Sequence, residues 1–293
     1  MLGRFGMDAS SLVGVEIAPD AIRLVQLQQR RRRWRVMGSA QEPLPLEVGN
    51  DWAAEPGQVA AALRRAHRHS GFRQRRVAMA LPASQVICKL CHIPVEQGLE
   101  QVEAQLLADA ERLFPFPLED LALDFQVIGA SGVQPGCSEV IVAACRQSAL
   151  AALEAVVEDA GLQLEAVEID TIALCRMLPA GDLEGAALLR IEAHSVTLHD
   201  WRPGGVFQRH ELQTAGTEIA AQLPERLQAL LAAGPLPGQL WVAGSPATDP
   251  GWLLGLGDRL NVPCRHLPGL AGLEQVDGSM LLACALAQGG LRR

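Results

Sequence analysis

Cys88-Lys89-Leu90-Cys91-His92 has the spelling of a haem-attachment motif, in which two thiols bond the haem and the histidine ligates its iron. The residues around it alternate as a strand does, so the two thiols are expected on opposite faces about 10 Å apart, too far for one haem edge or for a disulfide. They read as two strand thiols. His194, His199 and His210 are spread over a later strand-rich stretch with no helical or Cys-x-x-Cys partner set, which leaves a metal site unsupported and the histidines partly exposed. No Gly-x-Ser-x-Gly, Walker loop or flanked carboxylate pair is present. What remains is charge at strand ends: Glu16 before Ile17-Ala18-Pro19, and Arg190 and Glu192 on either side of Ile191.

The elements that carry these residues follow one plan used twice. Leu12, Val13, Val15 and Ile17 form an apolar run without helical period, as a strand buried on both faces does. Ala18-Pro19-Asp20 breaks it. Ile22 to Gln28 then alternates, and a basic loop from Arg30 to Arg33 leads into Trp34, Val36 and Gly38. Ala186 to Leu212 repeats the order: apolar strand, polar turn at Glu192 to His194, alternating strand to Trp201, then Pro203-Gly204-Gly205 and a third strand. An amphipathic helix follows each copy, which makes an internal duplication.

With 293 residues, 49% of them hydrophobic, the chain has ample material for packed cores. A net charge of −8 argues against general nucleic-acid binding. Arg30 to Arg35 and Arg64 to Arg76 run against that balance. They read either as a solvated hairpin tip and helix face or as a contact for anionic lipid or an acidic partner. There is no signal-like start and no run of about 18 apolar residues, so a soluble, cytoplasmic protein is expected, and the end at Leu291-Arg292-Arg293 favours a free-standing one. Seven scattered cysteines fit a reducing compartment.

Further along, Val59, Ala62, Leu63 and Ala66 set a helix ending at Gly71. Arg76 to Leu81 and Gln85 to Ile93 read as strands, and Leu99 to Leu113 as a helix stopped by Pro115. Strands at Leu121 to Ile128 and Glu139 to Cys145, and a helix closed by Gly161, complete an inserted βαββα module over 76–161. A strand from Leu164 to Ile169 leads into a helix that Asp170 can cap. The second half holds a helix from Thr217 kinked by Pro224, a strand from Gln239 to Ala243 and a last helix through Met280 to Leu286.

The duplicated strand-strand-strand-helix unit resembles the actin-like, ribonuclease-H-like ATPase domains. Within that class the chain resembles the PilM family of type IV pilus assembly proteins, through VGVEI with IRLVQL near the start, ALPASQVICKLCHIP at Ala80 to Pro94, FPFPLEDLALDFQVIG at Phe114 to Gly129, EVIVAACR at Glu139 to Arg146 and EAVEIDTIALCRML at Glu165 to Leu178. The resemblance implies an α/β actin-like chain. Residues 1–75 would open the first lobe, 76–161 would be a 1C-type insert, 162–184 the return and connecting helix, and 185–293 a shortened second lobe with its 2B subdomain largely absent. It also implies a cytoplasmic scaffold, peripheral to the inner membrane, that binds the N-terminal peptide of a PilN-like inner-membrane protein and can self-associate. An extended peptide in a groove needs strand edges and apolar pockets. Pro82, Ser84, Phe114, Phe116 and Pro117 are the candidates, set against the reading that they fix a buried turn.

Against the ATPase pattern both phosphate turns are altered. The expected Asp-Ile-Gly stands as Glu16-Ile17-Ala18, and Pro19 has no amide hydrogen to give. In the second copy it stands as Arg190-Ile191-Glu192, which sets an anion where a phosphate would lie. Ala243-Gly244-Ser245-Pro246 replaces a glycine-rich adenosine loop and keeps only Gly244. The expectation is a scaffold without ATP or Mg²⁺ and without catalysis. The alternatives are an ATPase in which Glu16 orients Mg²⁺ and Arg190 holds a phosphate, and an actin-like component of type II secretion.

Overall fold

The computed structural model describes residues 10–30, 33–94, 98–179, 185–201, 207–212, 219–232, 234–244, 249–268 and 278–289. They fall into two compact units, Met1–Leu81 with Leu153–Arg293, and Pro82–Ala152.

The larger unit opens with β1 (Ser10–Ile17), β2 (Ala21–Arg30) and β3 (Arg33–Pro43), an antiparallel meander, followed by α1 (Leu46–Asn50), α2 (Pro56–Ser70) and β4 (Arg76–Leu81). Helix α2 stops as expected at Gly71, whose φ of 70° lets its amide reach back to Arg68. The smaller unit holds β5 (Ile87–Pro94), α3 (Leu99–Ala108), α4 (Ala110–Leu113), β6 (Leu121–Ala130) and β7 (Cys137–Arg146), and the division between units falls within α5 (Gln147–Asp159). The chain returns through β8 (Gln163–Ile169) and α6 (Asp170–Cys175). The second meander is β9 (Ala186–Ile191), β10 (Val196–Asp200) and β11 (Gln208–Leu212). After it come α7 (Ile219–Leu231), β12 (Gln239–Ala243), α8 (Pro250–Leu260), β13 (Cys264–His266) and α9 (Leu281–Gly289).

The duplication is visible in the sheets. One has the order β3-β2-β1-β4-β8 and the other β11-β10-β9-β12-β13, and in each the fourth and fifth strands run parallel to the first. One face of the second sheet (Ala187, Leu189, Val196, Leu198, Leu240, Val242) packs on α7 and α8. Leu188 and Trp241 of its other face share a core with Leu12, Val25 and Leu27 of the first sheet and with α6 and α9. Helix α9 lies so close on β1 that a Cβ on Gly14 would sit 1.9 Å from the Ala283 carbonyl oxygen, which is why glycine interrupts an otherwise apolar strand.

Two expectations are corrected. Arg76–Leu81 does not belong to the inserted module: it pairs with both β1 and β8, so the compact insert is Pro82–Ala152 rather than 76–161. The helix expected over Leu99 to Leu113 is two, α3 and α4, joined at Asp109. Helix α8 and strand β13 went unread, because Gly251, Gly255 and Gly257 interrupt the helical stripe. Helix α1, only five residues long, went unread as well. The start expected at Thr217 and the Pro203-Gly204-Gly205 turn lie outside the described residues. No described helix is long and apolar enough to cross a membrane.

Candidate functional site

Glu16 is the penultimate residue of β1 and pairs in register with Arg23 of β2, while Arg190 is the penultimate residue of β9 and Glu192 follows it. The two sheets exchange these charges. Arg190 Nη2 donates to Glu16 Oε1 at 2.9 Å, and Arg23 Nη1 donates to Glu192 Oε1 at 2.9 Å. Arg190 Nη2 also reaches Glu192 Oε1 at 3.0 Å, Arg23 Nη2 reaches Asp20 Oδ1 at 2.8 Å, and Ser195 Oγ donates to Glu192 Oε2 at 3.1 Å. Arg23 is 2% exposed and Arg190 5%. Burial pushes the Glu16 carboxyl above its usual range, against the pull of Arg190. Burial pushes Glu192 up as well, but Arg190 and Arg23 outweigh it and leave that carboxyl low. Burial works against the charge of Arg190, and Glu16 and Glu192 overcome it, so the guanidinium is held charged.

One backbone donor at each turn is already used. The Ala18 amide donates to the Ala21 carbonyl and the Glu192 amide to that of Ser195, each at 2.9 Å. Pro19 has no donor, and its carbonyl is covered by α1, where a Cβ on Gly49 would lie 1.9 Å from it. Gly244, at φ 118°, packs on the end of β9, where a Cβ would meet the Ile191 carbonyl oxygen at 2.0 Å. Of the six residues read as an altered nucleotide site, Glu16, Arg190 and Glu192 are brought into direct contact. Ala18 and Pro19 form the covered first turn, and Gly244 serves a close backbone approach beside the second. Ser245 and Pro246 lie outside the described residues. The sequence reading missed Arg23 and Asp20: a lone arginine in an alternating strand looks solvent-facing, and its partner Glu192 is 169 positions away.

A second buried polar chain was missed too. Thr171 Oγ1 is 2.8 Å from His199 Nδ1 and 3.1 Å from Asp170 Oδ1, and Arg209 Nε lies 3.0 Å from Asp170 Oδ2. Asp170 does not cap α6 from outside, since it is the first helical residue and its carboxylate takes the Thr171 amide. His199, read as partly exposed, is 1% exposed and stacks on Trp201 with ring centroids 6.2 Å apart. Burial, helped by the charges of Arg190 and Arg209, holds its pKa well below 6.5, so the ring is neutral at neutral pH.

In the smaller unit, Phe114 is 3% exposed within a core of Ile93, Val102, Leu106, Val140, Val142 and Ala144, and so is no surface contact. Its aromatic ring suited a pocket by type, but its place at the end of α4 turns it inward. Phe116 is half-buried, with the Arg146 guanidinium 5.5 Å from its ring centroid. Pro82 and Pro117 each precede a short 3₁₀ turn, Ala83–Gln85 and Leu118–Asp120, and Ser84 and Pro117 are exposed. Asp120 accepts the Ser148 amide at 2.8 Å and Arg146 Nη1 at 2.9 Å, and these bonds lower its pKa, the Ser148 amide most. Cys88 and Cys91 lie on β5 opposite Ala143 and Val140, and burial pushes the Cys88 thiol up to about 11. No group of three or more metal-binding side chains occurs among the described residues.

Two sheets of identical order, each with an antiparallel meander whose first turn meets the other's, define an actin-like fold. The chain is similar to a solved "PilM-PilN type IV pilus biogenesis complex", with 21% identity and a TM-score of 0.74 over 97% of this chain and 99% of that one. It is also similar to the cytoplasmic domain of EpsL, an inner membrane component of the type II secretion system of Vibrio cholerae, with 15% identity and a TM-score of 0.51 over 94% of each chain. For the ethanolamine utilization protein EutJ from Carboxydothermus hydrogenoformans the figures are 13% and 0.50, over 96% of this chain and 91% of that one. The family model of type IV pilus assembly protein PilM matches residues 14–223, and the chain belongs to that family.

Proposed function

We propose that this chain is an assembly scaffold of a type IV pilus, binding the cytoplasmic end of a PilN-like inner-membrane protein and turning over no ATP. Membership of the PilM family supports the pilus role, and the likeness to a complex containing PilN supports the partner. The observation that carries the loss of turnover is the exchange of charges between the sheets, Arg190 to Glu16 and Arg23 to Glu192. A magnesium triphosphate needs free backbone donors and a carboxylate turned toward the metal. Here Glu16 faces arginines, the Ala18 and Glu192 amides are bonded within their own turns, and Glu192 adds an anion. Residues so arranged do not fit the group, and a nucleotide would have to replace buried ion pairs to enter. The short connection of residues 232–238 between α7 and β12 also offers little chain for a further cleft wall.

Pro82, Ser84, Phe116 and Pro117 are the exposed or half-exposed members of the peptide-contact set. The test is titration of the N-terminal cytoplasmic peptide of a PilN-like protein into the full chain and into Phe116→Ala. Saturable binding weakened roughly ten-fold by the substitution is expected for an aromatic contact. No binding to the parent chain removes the partner from the proposal. Equal binding by a folded Phe116→Ala removes that residue from the site.

A further inference from the structure

Arg33 and Arg35 of β3 come to the face of the first sheet on which α2 packs, and a β-bulge puts them there. Helix α2 packs on β2 and β3. Its Arg65 Nε reaches Glu42 Oε1 at 2.5 Å, and Phe72, just beyond it, fills the space over Gly38, so the helix runs toward the β2–β3 hairpin end. Gly38 and Glu42 therefore mark the α2 face of β3, together with Gln26 and Ile22, their partners on β2. Between Gln26 and Leu27 the register shifts: Gln26 pairs with Gly38 but Leu27 with Val36, leaving Met37 as the extra residue. Past that point Val36 and Trp34 join Leu27 on the core side. Arg35 and Arg33, paired with Gln28 and Arg30, fall on the α2 face. Strict alternation would have sent these two arginines to the other side.

Arg33 and Arg35 at this end of the face are exposed, as are Arg68 in the last turn of α2 and Arg73 and Arg75 in the segment beyond it, and none of the five forms an ion pair with a described residue. Met37 adds an apolar side chain 52% exposed beside them. In a chain of net charge −8 these cations give local rather than overall attraction to anions, which suits orientation against a surface better than wrapping by a polyanion.

We infer that the hairpin end of the α2 face docks on an anionic phospholipid surface. Its arginines meet the headgroup phosphates as bidentate donors and Met37 meets the acyl boundary. The inference goes beyond the proposed function, taking from it only that the partner sits in a membrane. A bland role exists for part of the set, since His67, Arg68 and His69 complement the negative C-terminal end of α2. The test therefore leaves them in place.

Co-sedimentation of the full chain with vesicles of phosphatidylglycerol and phosphatidylcholine, against vesicles of phosphatidylcholine alone, reads the contact. The chain is expected to pellet with the anionic vesicles only, and to be released as salt rises from ~0.05 to ~0.5 M. A variant carrying Arg33→Glu, Arg35→Glu, Arg73→Glu and Arg75→Glu is expected to stay in solution, with affinity falling roughly five-fold or more per arginine lost. A variant of two exposed arginines elsewhere, Arg259→Glu and Arg265→Glu, is expected to pellet like the parent, with thermal unfolding of both variants unchanged. Failure of the parent chain to pellet overturns the inference. So does equal pelleting of the four-fold variant, equal loss in the control, or binding to soluble polyglutamate without binding to the anionic vesicles. Absent vesicle binding with intact peptide binding sinks this inference alone, and the reverse pattern sinks only the proposed partner.

Discussion

Arg23 and Arg190 are guanidiniums held out of water, and a buried charge persists only where partners replace the hydration it has lost. Arg190→Met leaves Glu16 and Glu192 without their shared cation, and urea unfolding is expected to show a loss of about 3–5 kcal/mol. Adding Glu16→Gln removes the anion left without its close cation, Glu192 keeping Arg23, so the double variant is expected to lose less than the sum of the single losses, by about 0.5–3 kcal/mol. Strictly additive losses would contradict the coupling. Glu16, Arg190 and Glu192 were legible in the sequence as the wrong charges at strand ends, but their partners were not, because pairing across a duplication leaves no local pattern. His199 was misread for the same reason: nothing near it in sequence announces that Thr171 and Trp201 enclose it. Its low pKa carries a sign. Below pH 6.5 the unfolded chain takes up a proton that the folded ring refuses, so stability falls with pH below that point by up to about 1.4 kcal/mol per unit. His199→Gln is expected to remove this part of the slope between pH 6.5 and 5, measured as the difference between the two urea profiles. Parallel profiles would place the histidine elsewhere than in a buried, neutral state.

At the scale of elements, glycine separates close approach from accident. Gly14 admits α9 onto β1, and Gly14→Ala would drive a methyl into the Ala283 carbonyl, with a loss of about 1–3 kcal/mol expected. Gly255, within α8, faces open space, and Gly255→Ala is expected to raise stability by about 1 kcal/mol through helix propensity. Thermal unfolding of the two variants checks both signs, and a stabilising Gly14→Ala would mean that α9 does not lie where it is described. The meanders were legible because an apolar run, a polar break and an alternating strand each leave a sequence period. Helix α8 was not, its glycines having diluted that period. The bulge at Met37 was invisible for a different reason, since register depends on the partner strand and a single extra residue changes no composition.

At the scale of the molecule, the duplicated sheets bring two turns together that in the actin-like ATPases would face a phosphate, and here each turn meets the charges of the other. Membership of the PilM family and the actin-like fold follow from features spread along the chain, which is why the sequence carried them. The proposed loss of a nucleotide role rests instead on a few side chains, Glu16, Arg23, Arg190 and Glu192. The most direct test is the titration of the PilN-like peptide repeated at zero and millimolar Mg-ATP, with the heat of Mg-ATP alone recorded on the same protein. No heat from Mg-ATP, and a peptide curve unmoved by it, are expected of a scaffold whose ion pairs have taken the place of the nucleotide. Saturable Mg-ATP binding, or a peptide affinity that shifts when nucleotide is added, would contradict that account.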